Sequence, residues 1–144
     1  MYEKKGIKIL HVDDEESQLL FTKHFLQTLD DSFIVDSISD PREALRQVNT
    51  NRYDIIVSDY KMDKLNGVQL AIKIKKKMNI PFILYTGQDF DVMDSAIMSG
   101  VDYYVKKEID PSHYHLLYKR IHQAVETNQT GLRKKNGVEL VSNI

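Results

Sequence analysis

Three aspartates stand where short apolar runs stop: Asp13 and Asp14 follow Ile7–Val12, and Asp59 follows Asp54–Ser58. If those runs are adjacent strands, three carboxylates meet at one mouth. Like charges a few ångströms apart raise one another's pKa unless a cation is present, and a hard, oxygen-seeking divalent ion such as Mg²⁺ relieves the conflict best. For Asp13-Asp14 alone, ordinary strand-to-loop chemistry is an equal explanation. Thr86-Gly87 follows the run Pro81–Tyr85, and Lys106-Lys107 follows Tyr103–Val105. A hydroxyl, an unobstructed backbone and an ammonium beside clustered carboxylates are the equipment for holding a phosphoryl group. Each is common in isolation. Their conjunction at successive run ends carries the reading.

That conjunction requires an architecture that gathers the run ends. Strands are predicted at Ile7–Val12, Phe33–Ile38, Asp54–Ser58, Pro81–Tyr85 and Tyr103–Val105, most of them rich in Ile, Val, Phe or Tyr. Helical spacing separates them. Ser17–Leu29 aligns Phe21, Phe25 and Leu29 on one face, and Gly67–Met78 aligns Leu70, Ala71, Ile74 and Met78. Pro41–Val48 reads as a short helix capped by Asp40, with Ala44, Leu45 and Val48 inward. Asp89–Ser99 carries a weaker helical pattern. After Asp110-Pro111, Tyr114, Leu117, Ile121, Ala124 and Val125 recur at helical spacing to Asn128. Five β–α units of this kind predict an α/β fold: a doubly wound, five-stranded parallel sheet, flavodoxin-like, in strand order 2-1-3-4-5. In such sheets ligands bind outside the carboxyl ends of the strands, where strands one and three lie side by side.

The 144 residues suit one domain and are enough to bury a core without disulfides; there is no cysteine for a disulfide, a thiolate metal site or a thiol nucleophile. Twenty basic residues against 21 acidic ones leave no positive excess for sequence-independent nucleic-acid binding. No apolar run reaches spanning length, and the start of the chain lacks a signal-peptide core, so a cytoplasmic, unprocessed protein is the expectation. Residues 1–128 are read as the domain. Residues 129–144, polar and glycine-punctuated before Val138–Val141, are read as a linker or C-terminal tail.

At these residues the chain resembles the receiver domain of two-component response regulators, over roughly residues 5 to 127. The matching positions are the acidic pair Asp13 and Asp14, the phosphoacceptor Asp59, Thr86 after strand four and a Lys after strand five. Met62 and Gly67 also fall at the family's offsets of three and eight residues beyond the acceptor. Lys106 and Lys107 compete for the lysine. The family's spacing of Gly, aromatic and Lys is met by Gly100, Tyr104 and Lys107, which selects Lys107 and makes Tyr104 the switch aromatic; Tyr103 with Lys106 is the alternative register.

The resemblance implies that Asp59, Thr86 and Lys107 carry the phosphotransfer, with Thr86 and Tyr104 switching and Tyr60, Gly87 and Lys107 around the phosphate. It implies Mg²⁺ held by Asp13, Asp14, Asp59 and the carbonyl of Lys61. Lys61 and Gln88, each two residues past a site residue, are candidates for setting the hydrolysis rate. The implied partners are a sensor histidine kinase or phosphotransfer protein and a downstream output protein or domain. The fourth and fifth predicted helices and strand five would form the switching surface, through which a homodimer is also expected. No direct nucleic-acid or membrane partner is expected, and the domain is a phosphoacceptor that promotes its own chemistry, not an enzyme acting on others.

Two departures stand out: Asp63 replaces the Pro usual after the Met, and Glu108 replaces the Pro usual after the Lys. A Lys-Pro bond is often cis in the family, whereas Lys-Glu prefers trans by about 2.5–4 kcal/mol, so the loop after strand five is expected to run differently. A haloacid dehalogenase-type phosphatase would need a second Asp two residues after the nucleophile, where Lys61 stands. A receiver-like docking or dimerisation module that is never phosphorylated is the other alternative. His113 and His115 lie two apart and cannot converge on one ion from a helix; they are read, with His122, as surface or partner-facing. The Lys73, Lys75, Lys76, Lys77 group is read as a solvated helix face.

Overall fold

The computed structural model of the chain describes residues 6–88, 94 and 99–130. Five strands, β1 (Lys8–Val12), β2 (Ile34–Ile38), β3 (Ile55–Ser58), β4 (Phe82–Thr86) and β5 (Tyr103–Lys106), form one sheet in the order β2-β1-β3-β4-β5. Every neighbouring pair is parallel. The described helices are α1 (Glu16–Leu29), α2 (Pro41–Thr50), α3 (Gly67–Lys75) and α4 (His113–Thr130). This is the expected doubly wound, flavodoxin-like fold. Of the predicted helix Asp89–Ser99 only Asp94 and Ser99 are described, and Val138–Val141 lies outside the described residues.

Alternation along the strands sorts the core into two layers. Ile9, Val57, Ile83, Tyr85 and Val105 pack with Leu26 of α1 and Leu117, Ile121 and Ala124 of α4. Leu10, Val12, Ile56, Phe82 and Leu84 pack on the other face with Ala44 and Val48 of α2 and Leu70 and Ile74 of α3. The central strands must therefore be buried on both faces, and β1 from Ile9 onward, β3 and β4 are buried throughout, with His11 the polar exception within β1.

The helix starts have local causes. Asp40 caps α2 by accepting from the Arg42 N–H, with Pro41 at the first position. Asn66 and Gln69 form a reciprocal capping box at α3: Asn66 accepts the Gln69 N–H at 2.8 Å, and Gln69 accepts the Asn66 N–H at 2.9 Å. The predicted α3 runs to Met78, but the helix ends at Lys75, with Lys77 N–H turning back to the Ile74 carbonyl before Pro81. The predicted second strand opens at Phe33, whose N–H instead closes a turn on Asp30 O.

The α1 face also differs from its prediction. Leu19, Thr22 and Leu26 are its buried residues, while Phe21 is 53% exposed and Phe25 lies at the shoulder, stacked on Tyr114 of α4 at 4.6 Å. Two apolar stripes overlap on this helix, and periodicity alone does not say which one meets the sheet.

One glycine fixes how α3 enters. A Cβ at Gly67 would lie 2.2 Å from Asp59 O and 2.7 Å from Leu84 Cδ1, whereas one at Gly87 would meet nothing within 4 Å. Gly67→Ala is expected to destabilise the fold by about 1–3 kcal/mol through overpacking, with Gly87→Ala near neutral. Urea midpoints of the two variants check this; equal midpoints would remove the close-approach argument.

Candidate functional site

Sheet register brings the predicted site together. Val12 pairs with Ser58, so the next residues, Asp13 and Asp59, leave adjacent strands side by side. The Asp59 N–H donates to Val12 O at 2.9 Å and the Asp13 N–H to Ile38 O at 3.2 Å, so both backbones are still held by the ladder where their side chains emerge. Thr86 pairs with Lys106, and the Lys107 N–H donates to Thr86 O at 2.9 Å.

Carboxylate oxygens of Asp13, Asp14 and Asp59 lie within 4.8 Å of one another. Asp13 and Asp59 are buried and Asp14 is exposed. Lys107 Nζ sits 2.7 Å from Asp13 Oδ2 and 3.4 Å from Asp59 Oδ2. Asp13 Oδ1 accepts the Glu15 N–H at 3.0 Å, Asp59 Oδ1 accepts the Tyr60 N–H at 2.8 Å, and Asp14 Oδ2 accepts the Asp63 N–H at 3.2 Å. Burial pushes the Asp13 carboxyl above the usual carboxylate range, and the Lys107 hydrogen bond pulls it back only in part. With three carboxylates against one ammonium, the ionised cluster carries more negative charge than Lys107 balances.

The two lysines separate. Lys107 reaches the cluster, whereas Lys106 is an exposed end residue of β5. The two tyrosines separate by face: Tyr103 packs into the layer of α1 and α4, with Arg120 over its ring, while Tyr104 lies on the layer of α2 and α3. The Tyr104 hydroxyl donates to the Gln88 carbonyl. Thr86 is buried and its Oγ1 accepts the Gln88 N–H at 3.3 Å. Gly87 and Lys61 are exposed near the mouth, and Tyr60 is half-buried. Gly100, whose spacing points to Tyr104 and Lys107, has φ +88°, a left-handed turn that favours glycine.

The departures are also placed. Asp63 lines a cavity of about 350 Å³ with Asp14, Glu16 and Asp40, extending the acidic mouth. No described peptide bond is cis, Lys107–Glu108 included. His113 is not a surface residue as read from sequence: its ring is half-buried, 2.7 Å from Asp110 O through Nδ1 and 2.5 Å from the Tyr85 hydroxyl through Nε2. Intermediate burial also places His122 inward, 3.6 Å from Asp30. Nor is Lys75 simply solvated, since it pairs with Asp102 at 2.9 Å. Sequence reasoning missed His11, fully buried beneath the cluster with neither ring nitrogen hydrogen-bonded among the described residues. Burial and the Lys107 charge hold its pKa down at about 3, so it adds no charge beneath the site.

The response regulator receiver domain matches residues 9–119. The chain belongs to that family. It is 30% identical over 132 residues to the alkaline phosphatase synthesis transcriptional regulatory protein PhoP of Bacillus subtilis, covering 90% of this chain and 54% of that protein. The chain thus spans about half the length of this curated relative. Among solved structures, the receiver domain of Francisella response regulator 1452 superposes with a TM-score of 0.76 at 27% identity, covering 85% of this chain and 99% of that one. Response regulator protein TrrA of Thermotoga maritima, in complex with Mg(2+)-BeF, superposes with a TM-score of 0.70 at 28% identity, covering 80% and 98%. The receiver-domain family, its fold and its place in two-component signalling follow from these matches, and no described helix is long and apolar enough to cross a membrane.

The raised pKa of Asp13 has a signed consequence. Ionised Asp13 costs the fold stability, and the cost grows as pH rises from the ordinary carboxylate value of about 4 through the raised folded value. Asp13→Asn is therefore expected to raise the melting temperature in metal-free buffer at pH 7, with the gain shrinking toward pH 4. Thermal melts across that range with a chelator present check it; a lowered melting temperature at pH 7 would contradict the electrostatic account.

Proposed function

We propose that this receiver accepts a phosphoryl group on Asp59 from a phosphohistidine of a sensor kinase or phosphotransfer protein, with Mg²⁺ as cofactor. The observation that carries the reading is the meeting of Asp13, Asp14 and Asp59 with Lys107 Nζ at 2.7 and 3.4 Å. The donor set fits the ion: hard carboxylate oxygens within 4.8 Å of one another, with negative charge left over after Lys107. Asp13, Asp14, Asp59 and the carbonyl of Lys61 would hold Mg²⁺. When bound, it supplies positive charge against the phosphoryl oxygens. The Mg(2+)-BeF complex of TrrA supports the same chemistry here.

In the reaction the Asp59 carboxylate forms a bond to phosphorus while the bond to the donor imidazole nitrogen breaks, leaving an acyl phosphate and a free histidine. Lys107 balances charge on the phosphoryl oxygens, and the Thr86 hydroxyl with backbone N–H groups of Tyr60 and Gly87 hydrogen-bonds to them. Phosphorylation adds about −1.5 to −2 charges at pH 7. Thr86 is drawn toward that charge, and Tyr104, on the same face, turns into the space it leaves. The change in β5 and the helices beside it is what an output protein or domain, or a second copy, distinguishes. Lys61 and Gln88 flank the access to phosphorus and tune hydrolysis. A cytoplasmic setting accords with this partnership. Lys61 two residues after Asp59 disfavours the phosphatase alternative, and the complete acidic cluster disfavours a module that is never phosphorylated.

Intact mass after incubation with a small acyl phosphate tests the reading. One phosphoryl gain is expected with Mg²⁺, none with a chelator and none in Asp59→Asn; no gain in the folded wild type would overturn it. Substitutions at Lys61 and Gln88 are expected to change the dephosphorylation rate severalfold. Unchanged decay in both would remove their tuning role.

A further inference from the structure

The Lys107 ammonium is useful only if the loop that carries it is held in place. In this chain the residues from Lys107 to Ser112 leave β5 without the proline that the family usually places after the lysine, and Ile109 is fully exposed. The Lys107 N–H is bonded to Thr86 O at 2.9 Å and the Asp110 carbonyl accepts the His113 N–H at 3.3 Å; what adds a tie from the loop into the core is the His113 side chain. His113 Nδ1 lies 2.7 Å from Asp110 O and Nε2 lies 2.5 Å from Tyr85 Oη. A carbonyl can only accept, so Nδ1 carries a proton; in the tautomer with that single ring proton, Nε2 accepts and the Tyr85 hydroxyl donates. Burial pushes the Tyr85 phenol upward, which keeps it a donor.

Tyr85 is fully buried in β4, next to Thr86, and its ring lies 5.4 Å from Lys107 Nζ. The imidazole is thus a bolt whose one end holds the loop carbonyl and whose other end is set in the core, on the same tyrosine whose ring faces the ammonium. His113 also packs against Tyr85 at 5.7 Å and Tyr114 at 4.2 Å between ring centroids. Asp110 completes the turn by accepting the Ser112 N–H at 3.0 Å through Oδ1.

We propose that His113 is a positioning residue for phosphotransfer: acting through Tyr85, it fixes the loop from Lys107 to Ser112 so that Lys107 reaches the acidic cluster. The inference rests on the reading of Asp59 as phosphoacceptor. His113 touches neither metal nor phosphoryl group, and its effect is on where Lys107 sits.

The test measures the rate of Asp59 phosphorylation from a small acyl phosphate with saturating Mg²⁺, alongside hydrogen exchange at the Lys107 amide and thermal melts. His113→Phe keeps the ring packing and removes both hydrogen bonds. It is expected to slow phosphorylation by about fivefold or more, because small misplacements of a charge-balancing group are costly to transfer. Tyr85→Phe should slow it similarly, and the double variant should be no slower than the slower single one. His113→Gln, whose amide can donate to Asp110 and accept from Tyr85, should restore most of the rate. His113 also lines a cavity of about 520 Å³ with Phe21, Phe25, Lys107, Ile109 and Tyr114. Added imidazole should therefore accelerate His113→Ala. A loss confined to thermal stability, with the phosphorylation rate of His113→Phe equal to wild type, would overturn the positioning role.

If the wild type is phosphorylated and His113→Phe matches it, the positioning role is overturned while the phosphoacceptor reading stands. If the wild type gains no phosphoryl group, the underlying reading fails. The exchange measurement then decides the loop separately: faster exchange of the Lys107 amide in His113→Phe upholds the bolt, and unchanged exchange overturns it.

Discussion

The fold converges on one uncomfortable contact, a single ammonium wedged against two buried carboxylates with a third beside them. Lys107 lies within 3.4 Å of both Asp13 and Asp59, and neither its charge nor its hydrogen bond offsets the burial of Asp13 fully. Such a group of charges survives in a folded protein only if the backbone around it is over-determined. That is what the sheet supplies. Asp13 and Asp59 are each held by a ladder hydrogen bond, and the Lys107 N–H is tied to Thr86 O, so the backbone of each charged residue is fixed where it leaves the sheet.

Ordinary parts of the fold then acquire a reason. Gly67 is required because α3 must start against the Asp59 carbonyl itself, and the capping box of Asn66 and Gln69 fixes the helix at that approach. The missing side-chain cap of α1 fits the same scheme, since Asp13 accepts the Glu15 N–H with the oxygen that Lys107 does not use. Each residue of the cluster thus serves a helix start or a turn as well as the site.

Much of this was legible because it depends on chain order and residue type. Five apolar runs alternating with helical patterns define the sheet, and Asp13, Asp14, Asp59, Thr86 and Lys107 sit where a run stops. Lys107 and Tyr104 were singled out by the resemblance, through the family's spacing to Gly100, and that glycine occupies a left-handed turn. Less legible was whatever depends on which of two neighbours faces inward. On α1 the apolar stripes overlap, and Leu19, Thr22 and Leu26 prevailed over Phe21 because the helix is rolled by contacts far away in sequence, among them the stacking of Phe25 on Tyr114. Histidine is the harder case. His11 in mid-strand and His113 at a helix start have no distinctive pattern, and their burial comes from elements packed over them.

Strand β4 shows how the two layers of the core meet in function. By alternation from Phe82 and Leu84, Thr86 falls on the side of α2 and α3, where Tyr104 also lies, while Tyr85, one residue earlier, faces α1 and α4 and is hydrogen-bonded to His113. A pull on Thr86 from a phosphorylated Asp59 would therefore act on a strand end whose preceding residue is anchored from the opposite side. On the proposed reading, a Tyr85 held by His113 would confine displacement to Thr86 and the residues after it, so that the Lys107 loop would keep its reach while the Tyr104 face rearranges. Without the anchor the same pull would be shared between both faces, and the lysine proposed to balance the phosphoryl charge would drift with the element proposed to respond to it. On that reading, alternation along a single strand would separate the part that holds still from the part that moves.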